Sequence, residues 1–349
     1  MKKIDQFLPT FDKHDAIGNE TIEIQRLLLE LGYDSEIFAE NIHSSLTKSA
    51  KHYSEHKNNS DLIIYHHSIG SDIVNYVLKT NSKKIMIYHN ITPIPYFKDI
   101  NQTTANLLKK GIEQLAYLKN RIDLAVGDSE FNRLELENLG YDNTGVLPIL
   151  INFELYKTQN NLNLQSKYGD SQNFLYVGRI APNKRIDEII KVFTYYHLNI
   201  NSNSNLFLLG KYSTSENYFK TISKLISDLK IKNIHFVENP DIEKLSNYYS
   251  ISTLLLILSE HEGFCVPLVE SMHFKIPIFA LNSTAIPYTL GNSGVLINDE
   301  NFEEIAELIN LVLVNDNLKN SIIAKQTFQL NSMYKNIKKL LSNMINQVK

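Results

Sequence analysis

Short apolar runs without alternation recur along the chain, separated by amphipathic stretches. Residues 4–8, 61–65, 84–88 and 124–127 are such runs in the first half; 173–177, 206–210, 233–237, 253–258 and 277–280 follow in the second. Runs of this length predict strands buried on both faces, as in parallel sheets covered by helices. Between them the spacing predicts helices. After a polar loop over 9–17, Gly18-Asn19-Glu20 opens a helix whose apolar positions Ile24, Leu27, Leu28 and Leu31 share one face, ending at Gly32. Further helices are predicted over 103–120, after Asp128-Ser129-Glu130 with Ser129 or Asp128 as N-cap, from Ile186, up to about Lys230, and after Asp241. The segment 266–274 carries Pro267 in its first turn, where a missing N–H costs nothing, and 302–348 is helical by pattern. Alternating β and α segments predict an α/β chain with parallel sheets. The pattern breaks at 146–150 and the Asn-rich 159–170, then restarts at 173, which marks a domain junction.

At 349 residues the chain is long enough for two domains, and 43% hydrophobic against 21% charged residues is an ordinary globular composition. A net charge of −3 argues against a general nucleic-acid binder. The single cysteine, Cys265, excludes an internal disulfide and a cysteine-based metal cluster, which fits a reducing cytosol. No apolar run approaches the roughly 18 residues of a membrane span, and no signal-like stretch follows Met1-Lys-Lys. A cytoplasmic protein is expected. The predicted helix over 103–121, with Lys109, Lys110, Lys119 and Arg121, is the candidate for peripheral contact with an anionic membrane.

The chemistry gathers at strand ends. Gly18 and Asn19 stand at the first strand–helix junction, where a doubly wound fold brings backbone close to a ligand. His66, His67 and His89 fall at the carboxyl ends of strands, but no carboxylate or further histidine follows at ligand spacing, so no metal is expected. Gly178-Arg179-Ile180-Ala181-Pro182-Asn183-Lys184-Arg185 follows the strand at 173–177: a glycine, then basic residues before a helix, suited to a diphosphate. After 253–258 comes Ser259-Glu260-His261-Glu262-Gly263-Phe264-Cys265-Val266-Pro267-Leu268-Val269-Glu270, a loop running into a helix N-terminus. Its backbone suits an anion, and Glu262 and Glu270, eight positions apart, suit the hydroxyls of a sugar and a ribose.

That last frame, continued by Ser271-Met272, resembles the signature of retaining glycosyltransferases of the GT-B fold, family 4. Gly178-Arg179 followed five residues on by Lys184 is similar to the diphosphate-binding pattern of the same family. The chain departs from it at Gly18-Asn19, where two adjacent glycines are usual, at Arg185, where a small residue is usual, and at Tyr288 after Pro287, where Glu is frequent. The resemblance implies two Rossmann-like domains facing a central cleft: 1–155 on the acceptor side, 156–330 binding the nucleotide sugar, and a helix over 331–349 returning to the first domain. It implies transfer of a hexose from a nucleotide-diphosphate sugar to a hydroxyl of a glycan or lipid-linked acceptor, without metal or other cofactor. Bacterial O-antigen or capsule synthesis is the setting it suggests. Donor contacts are implied for Gly18, Asn19, Gly178, Arg179, Lys184, Glu262, Gly263, Phe264, Cys265, Val266 and Glu270. In the implied mechanism Arg179 and Lys184 take the charge of the leaving diphosphate, Glu262 and His89 orient the sugar, and Glu270 grips the ribose. A nucleotide-sugar epimerase and a non-catalytic partner of another transferase are the alternatives.

Overall fold

A computed structural model describes residues 2–12, 15–98, 100–157, 162–214, 216–298 and 301–348 of the chain. The middle of the 9–17 loop and the start of the 159–170 stretch lie outside the described residues. The chain divides into two units, Met1–Ile151 with Met333–Lys349, and Asn152–Ser332.

In the first unit the apolar runs become strands of one parallel sheet. They are β1 (Ile4–Phe11), β2 (Ile37–Ile42), β3 (Lys51–His52), β4 (Leu62–His67), β5 (Lys83–Tyr88), β6 (Leu124–Gly127) and β7 (Thr144–Val146). Their order is β3-β2-β1-β4-β5-β6-β7. All six residues of β4 are buried, as a strand covered on both faces requires. The second unit repeats the plan with β8 (Gln172–Val177), β9 (Ser204–Gly210), β10 (Ile234–Glu238), β11 (Leu254–Ile257), β12 (Ile278–Leu281) and β13 (Val295–Ile297), ordered β10-β9-β8-β11-β12-β13. Each sheet is therefore wound outward in both directions from a central pair, β1/β4 and β8/β11. The crevice beyond the carboxyl ends of such a pair is where this topology leaves room for a ligand.

The sequence pattern missed β2, β3, β7 and β13. β3, β7 and β13 are two or three residues long, and β2 is buried over only its first half, so neither length nor a long apolar run marks them. β1 extends to Phe11, which takes Pro9–Phe11 out of the expected loop. The first helix runs Ala16–Glu30, so Gly18 and Asn19 sit inside its first turn rather than ahead of it. The helix expected over 103–120 spans Gln102–Leu118, because Asn120 leaves helical geometry at φ −96 and ψ 18. The tail comprises three helices, Phe302–Val314, Asp316–Tyr334 and Ile337–Gln347.

The last of these belongs to the first unit. Its buried Leu341, Met344 and Ile345 pack with Ile4, Leu28, Leu62, Ile85 and Val126 in one apolar cluster. The Tyr334 hydroxyl donates to the Ile149 carbonyl at 2.7 Å, and Lys338 pairs with Glu30 at 2.8 Å. Ile345 is fully buried. Ile345→Ala is expected to cost roughly 2–5 kcal/mol, the usual range for emptying a packed aliphatic site. Urea unfolding followed by circular dichroism measures this; a midpoint equal to wild type would mean that the helix contributes no core.

Candidate active site

The polar strand ends of the second unit converge at the β8/β11 pair. β8 is followed by Gly178, whose φ of +151 is one that a side chain disfavours, and a Cβ there would meet the Tyr176 hydroxyl at 2.7 Å. That hydroxyl donates to the Arg179 carbonyl at 2.9 Å, which pins the turn. The chain then makes a short turn, Pro182–Lys184, and Arg185 caps the helix Ile186–Asn199 in the left-handed conformation, φ 50 and ψ 48. The departure noticed at Arg185 thus falls where the backbone favours glycine. The loop after β11 is tied to this turn, since Glu260 N–H donates to the Asn183 carbonyl at 2.9 Å and the Asn183 amide donates to the His261 carbonyl at 3.3 Å. The two loops form one surface.

On it, Lys184 Nζ lies 2.6 Å from Glu262 Oε1, with side chains 18% and 13% exposed. Partial burial makes this pair stronger than an ordinary surface ion pair. Glu262 N–H is held by the Thr284 hydroxyl at 2.9 Å, so the 283–287 loop supports Glu262 through Thr284. Arg179 pairs with Glu216 at 3.2 Å. Burial drives the neighbouring His261 down to about 4, with Glu262 opposing and Lys184 reinforcing, so it is neutral at pH 7.

Cys265 precedes the helix Val266–Phe274 with φ 68, and no side chain caps that helix, which leaves the positive end of its dipole uncompensated. Phe264 and Cys265 are buried, and the Phe264 carbonyl accepts from the Thr289 hydroxyl at 2.7 Å. One turn into the helix, Glu270 is buried and accepts from Tyr156 at 2.6 Å and Tyr249 at 2.7 Å. Burial raises its carboxyl above the usual range, and the two phenols oppose that. Tyr156 and Tyr249 were not singled out from the sequence. Tyr249 sits on the buried face of an amphipathic helix, where an aromatic reads as core.

The first unit presents a separate cluster at β1/β4. Register pairs Tyr88 with Gly127, so His89 and Asp128, each one residue further, stand side by side. His89 Nδ1 lies 3.0 Å from Asp128 Oδ2 and 3.7 Å from Glu20 Oε2. His89 Nε2 lies 2.9 Å from His66 Nδ1, and His66 Nε2 lies 3.1 Å from Gln6 Oε1. The two rings are nearly parallel, 5° apart, with centroids 5.2 Å apart. Face-stacked rings would hold their atoms at about 3.5 Å or more. A 2.9 Å N···N separation therefore places the rings edge to edge, with nitrogens aimed at each other.

Glu20, His66 and His89 bring ligand atoms within 4.8 Å of one another, a group the sequence did not assemble. Facing nitrogens share a proton rather than converge on an ion, so this is a hydrogen-bond chain. Both nitrogens of His89, whose side chain is 2% exposed, have protein partners. In this arrangement both ring nitrogens of His89 are taken up within the first unit. His67 is neutral: its Nε2 faces the Gly111 carbonyl at 3.0 Å, and burial pushes it down to about 4.

Gly18 is used by the fold. A side-chain carbon at that position would run into the Asp12 carbonyl, while Asn19 is exposed. Ser129 is the observed N-cap, accepting from Asn132 N–H, which frees Asp128 for His89. Glu20 and Asp128 were both missed as site residues. The legible signal for Glu20 was a carboxylate at i−4 from Ile24, on the apolar face of its helix.

Burial alone would lower His89, but the charge and hydrogen bond of Asp128, with Glu20 and Asp15, raise it to about 9. Glu20 is raised to about 8, first by burial, with His89 opposing and Asp128 reinforcing. Both groups hold their proton more tightly folded than unfolded. The stability they contribute is complete below the unfolded values, 6.5 and 4.5, and is lost as pH rises through about 9 and about 8. The melting temperature is therefore expected to fall between about pH 7 and pH 9.5, and Glu20→Gln to make the fall shallower. Differential scanning calorimetry across that range decides; a flat alkaline profile in wild type contradicts the assignment.

Residues 158–329 match the profile of the family described as glycosyl transferases group 1. N-acetyl-alpha-D-glucosaminyl L-malate synthase of Bacillus anthracis is 24% identical over 254 residues, 69% of this chain and 62% of that protein. The O-antigen chain mannosyltransferase B of Escherichia coli is 21% identical over 152 residues, 43% of this chain and 39% of that protein. The chain thus spans less than two thirds of either relative. Anabaena HepE, solved in complex with UDP-glucose, has the same fold, with a TM-score of 0.78 at 14% identity over 99% of this chain and 100% of that one. The match to glycosyl transferases group 1 thus lies in residues 158–329, and the chain as a whole has the GT-B fold of two Rossmann-like units.

Proposed function

We propose that this chain is a retaining, metal-independent hexosyltransferase. It moves a sugar from a nucleotide diphosphate to a hydroxyl of a glycan or lipid-linked acceptor in the synthesis of bacterial surface polysaccharide. The observation that carries the proposal is the Lys184–Glu262 pair at 2.6 Å, set between a basic turn and an uncapped helix end. A cation and a carboxylate held together match a ligand with a diphosphate and a polyhydroxyl part. When the donor binds, Lys184 exchanges Glu262 for a phosphate oxygen, and Arg179 adds a second, forked contact. Glu262, released, accepts from sugar hydroxyls and faces the positive charge that grows on the ring as the leaving diphosphate departs. Backbone around Gly178 and from Gly263 to Val266 completes the anion site. Glu270 accepts from the ribose through lone pairs its two tyrosines leave. The relatives' printed activities, a glucosaminyl and a mannosyl transfer, and the UDP-glucose bound by HepE support a sugar donor of this class.

Among the described residues no helix is long and apolar enough to cross a membrane. Peripheral contact through the helix Gln102–Leu118 is part of the proposal. Lys109 and Lys110 are engaged by Glu113 at 3.9 Å and Asp72 at 2.6 Å, while Leu107, Ile112 and Tyr117 are exposed beside them. Co-sedimentation with phosphatidylglycerol vesicles is expected, and to weaken in Lys109→Glu/Ile112→Asp. Equal pelleting of the variant removes this helix from the contact.

Thermal stabilisation against UDP, GDP, ADP and their sugars, without added metal, tests the donor. One nucleotide is expected to stand out, by about 2.7 kcal/mol at a hundredfold excess over its dissociation constant. Lys184→Ala should lose about 1.5–3 kcal/mol of charge-assisted contact, roughly 10- to 100-fold in donor affinity. Glu270→Gln is expected to weaken nucleotide binding itself, whereas Glu262→Gln lowers turnover more than nucleotide affinity. No stabilisation by any nucleotide, or equal affinity losses in both Glu variants, overturns these roles.

A further inference from the structure

The hydrogen-bond chain in the first unit fixes where its protons lie. The Gln6 amide N–H donates to the Thr21 carbonyl at 2.9 Å, so its oxygen faces His66 and must accept from His66 Nε2–H. A proton then lies between His66 Nδ1 and His89 Nε2, and a further one between His89 Nδ1 and Asp128. Three protons serve three groups; burial raises Asp128, the charge and hydrogen bond of His89 lower it again, and in water a carboxylate is a weaker base than imidazole by more than two pH units. The proton on the last bond therefore belongs to the ring. His66 has no carboxylate partner and is lowered by burial, which leaves the charge on His89.

Around it stand Glu20 from the helix after β1, Asp15 before that helix, His66 and His67 on β4, and Asp128 after β6. Glu20 Oε2 and Asp128 Oδ1 are buried without a hydrogen-bond partner, so the two acids face a cation instead of a donor. An unpartnered buried carboxylate oxygen is costly unless charge or a proton compensates it. A doubly protonated ring between the two acids is that compensation.

We propose that Asp128 is a positioning residue that holds His89 as an imidazolium, with Glu20 as the second acid of the cluster, and that the first unit is competent for transfer only while that charge is present. The inference rests on the transferase reading for its consequence in catalysis, but not for the charge itself. His89 touches its partners through both N–H groups and acts by its fixed positive field. A neutral ring would break one of its two hydrogen bonds and unbalance the acids beside it.

The charge state can be read directly. In the full chain labelled with 15N-histidine, His89 at pH 7 is expected to show two protonated ring nitrogens, assigned by its loss in His89→Gln. Asp128→Asn should convert the ring to a single-proton form, and Asp128→Glu should restore the imidazolium. With the donor identified above, kcat is expected to fall on the alkaline side. In Asp128→Asn that limb moves down by about one pH unit or more, with donor KM little changed, and Asp128→Glu moves it back. A singly protonated His89 in wild type at pH 7 overturns the proposal without any variant having to fold. So does a uniform loss of kcat at every pH in Asp128→Asn with the ring still doubly protonated, which marks a merely structural carboxylate. If no donor is found, the spectra still decide the charge, and the failure then lies with the transferase reading.

Discussion

A strand covered by helices on both faces takes a polar side chain in its interior only where a partner is built in, as for Gln6 on β1, and leaves most polar chemistry to its ends. Each unit is built around such strands, and their parallel arrangement sends every carboxyl end the same way. The polar chemistry therefore gathers on one edge of each sheet, deepest at the β1/β4 and β8/β11 pairs, where the winding reverses. The Lys184–Glu262 pair and the Gln6–His66–His89–Asp128 chain are two occupants of that kind of position. One is partly open and carries complementary charge; the other is sealed and carries a proton.

In both, the protein satisfies its own charges internally. Lys184 and Glu262 neutralise each other, and Glu270 is occupied by two phenols. A ligand entering the second unit competes with these internal partners and gains only the difference. On the proposed donor-binding reading, such a site would discriminate against anions without a hydroxyl-rich part, because displacing Lys184 alone strands the Glu262 carboxylate.

How much of this was legible follows residue by residue. The apolar runs marked the central strands, and the helix Val266–Phe274 was read to its exact bounds, because Pro267 starts it and the pattern of Val266 to Phe274 is local. Short edge strands such as β7 carry no such signal. Spacing and resemblance marked out Arg179, Lys184, Glu262 and Glu270 as candidates, since a turn keeps its residues together wherever the fold places it. The partnership of His89 with Asp128 was not. It depends on the register of β5 against β6, which pairs Tyr88 with Gly127 across almost forty residues of sequence. Gly18 was read as a ligand approach, and its smallness serves the Asp12 carbonyl; a glycine shows that space is short without showing what fills it.

The first unit is completed by the helix Ile337–Gln347, which follows the whole of the second unit in sequence. On the ribosome, domains ordinarily fold in the order in which they emerge. Here the first unit lacks Leu341, Met344 and Ile345 until all of Asn152–Ser332 has been made. The order of birth and the order of completion are reversed, and an apolar face on the nascent first unit waits uncovered through the making of the second.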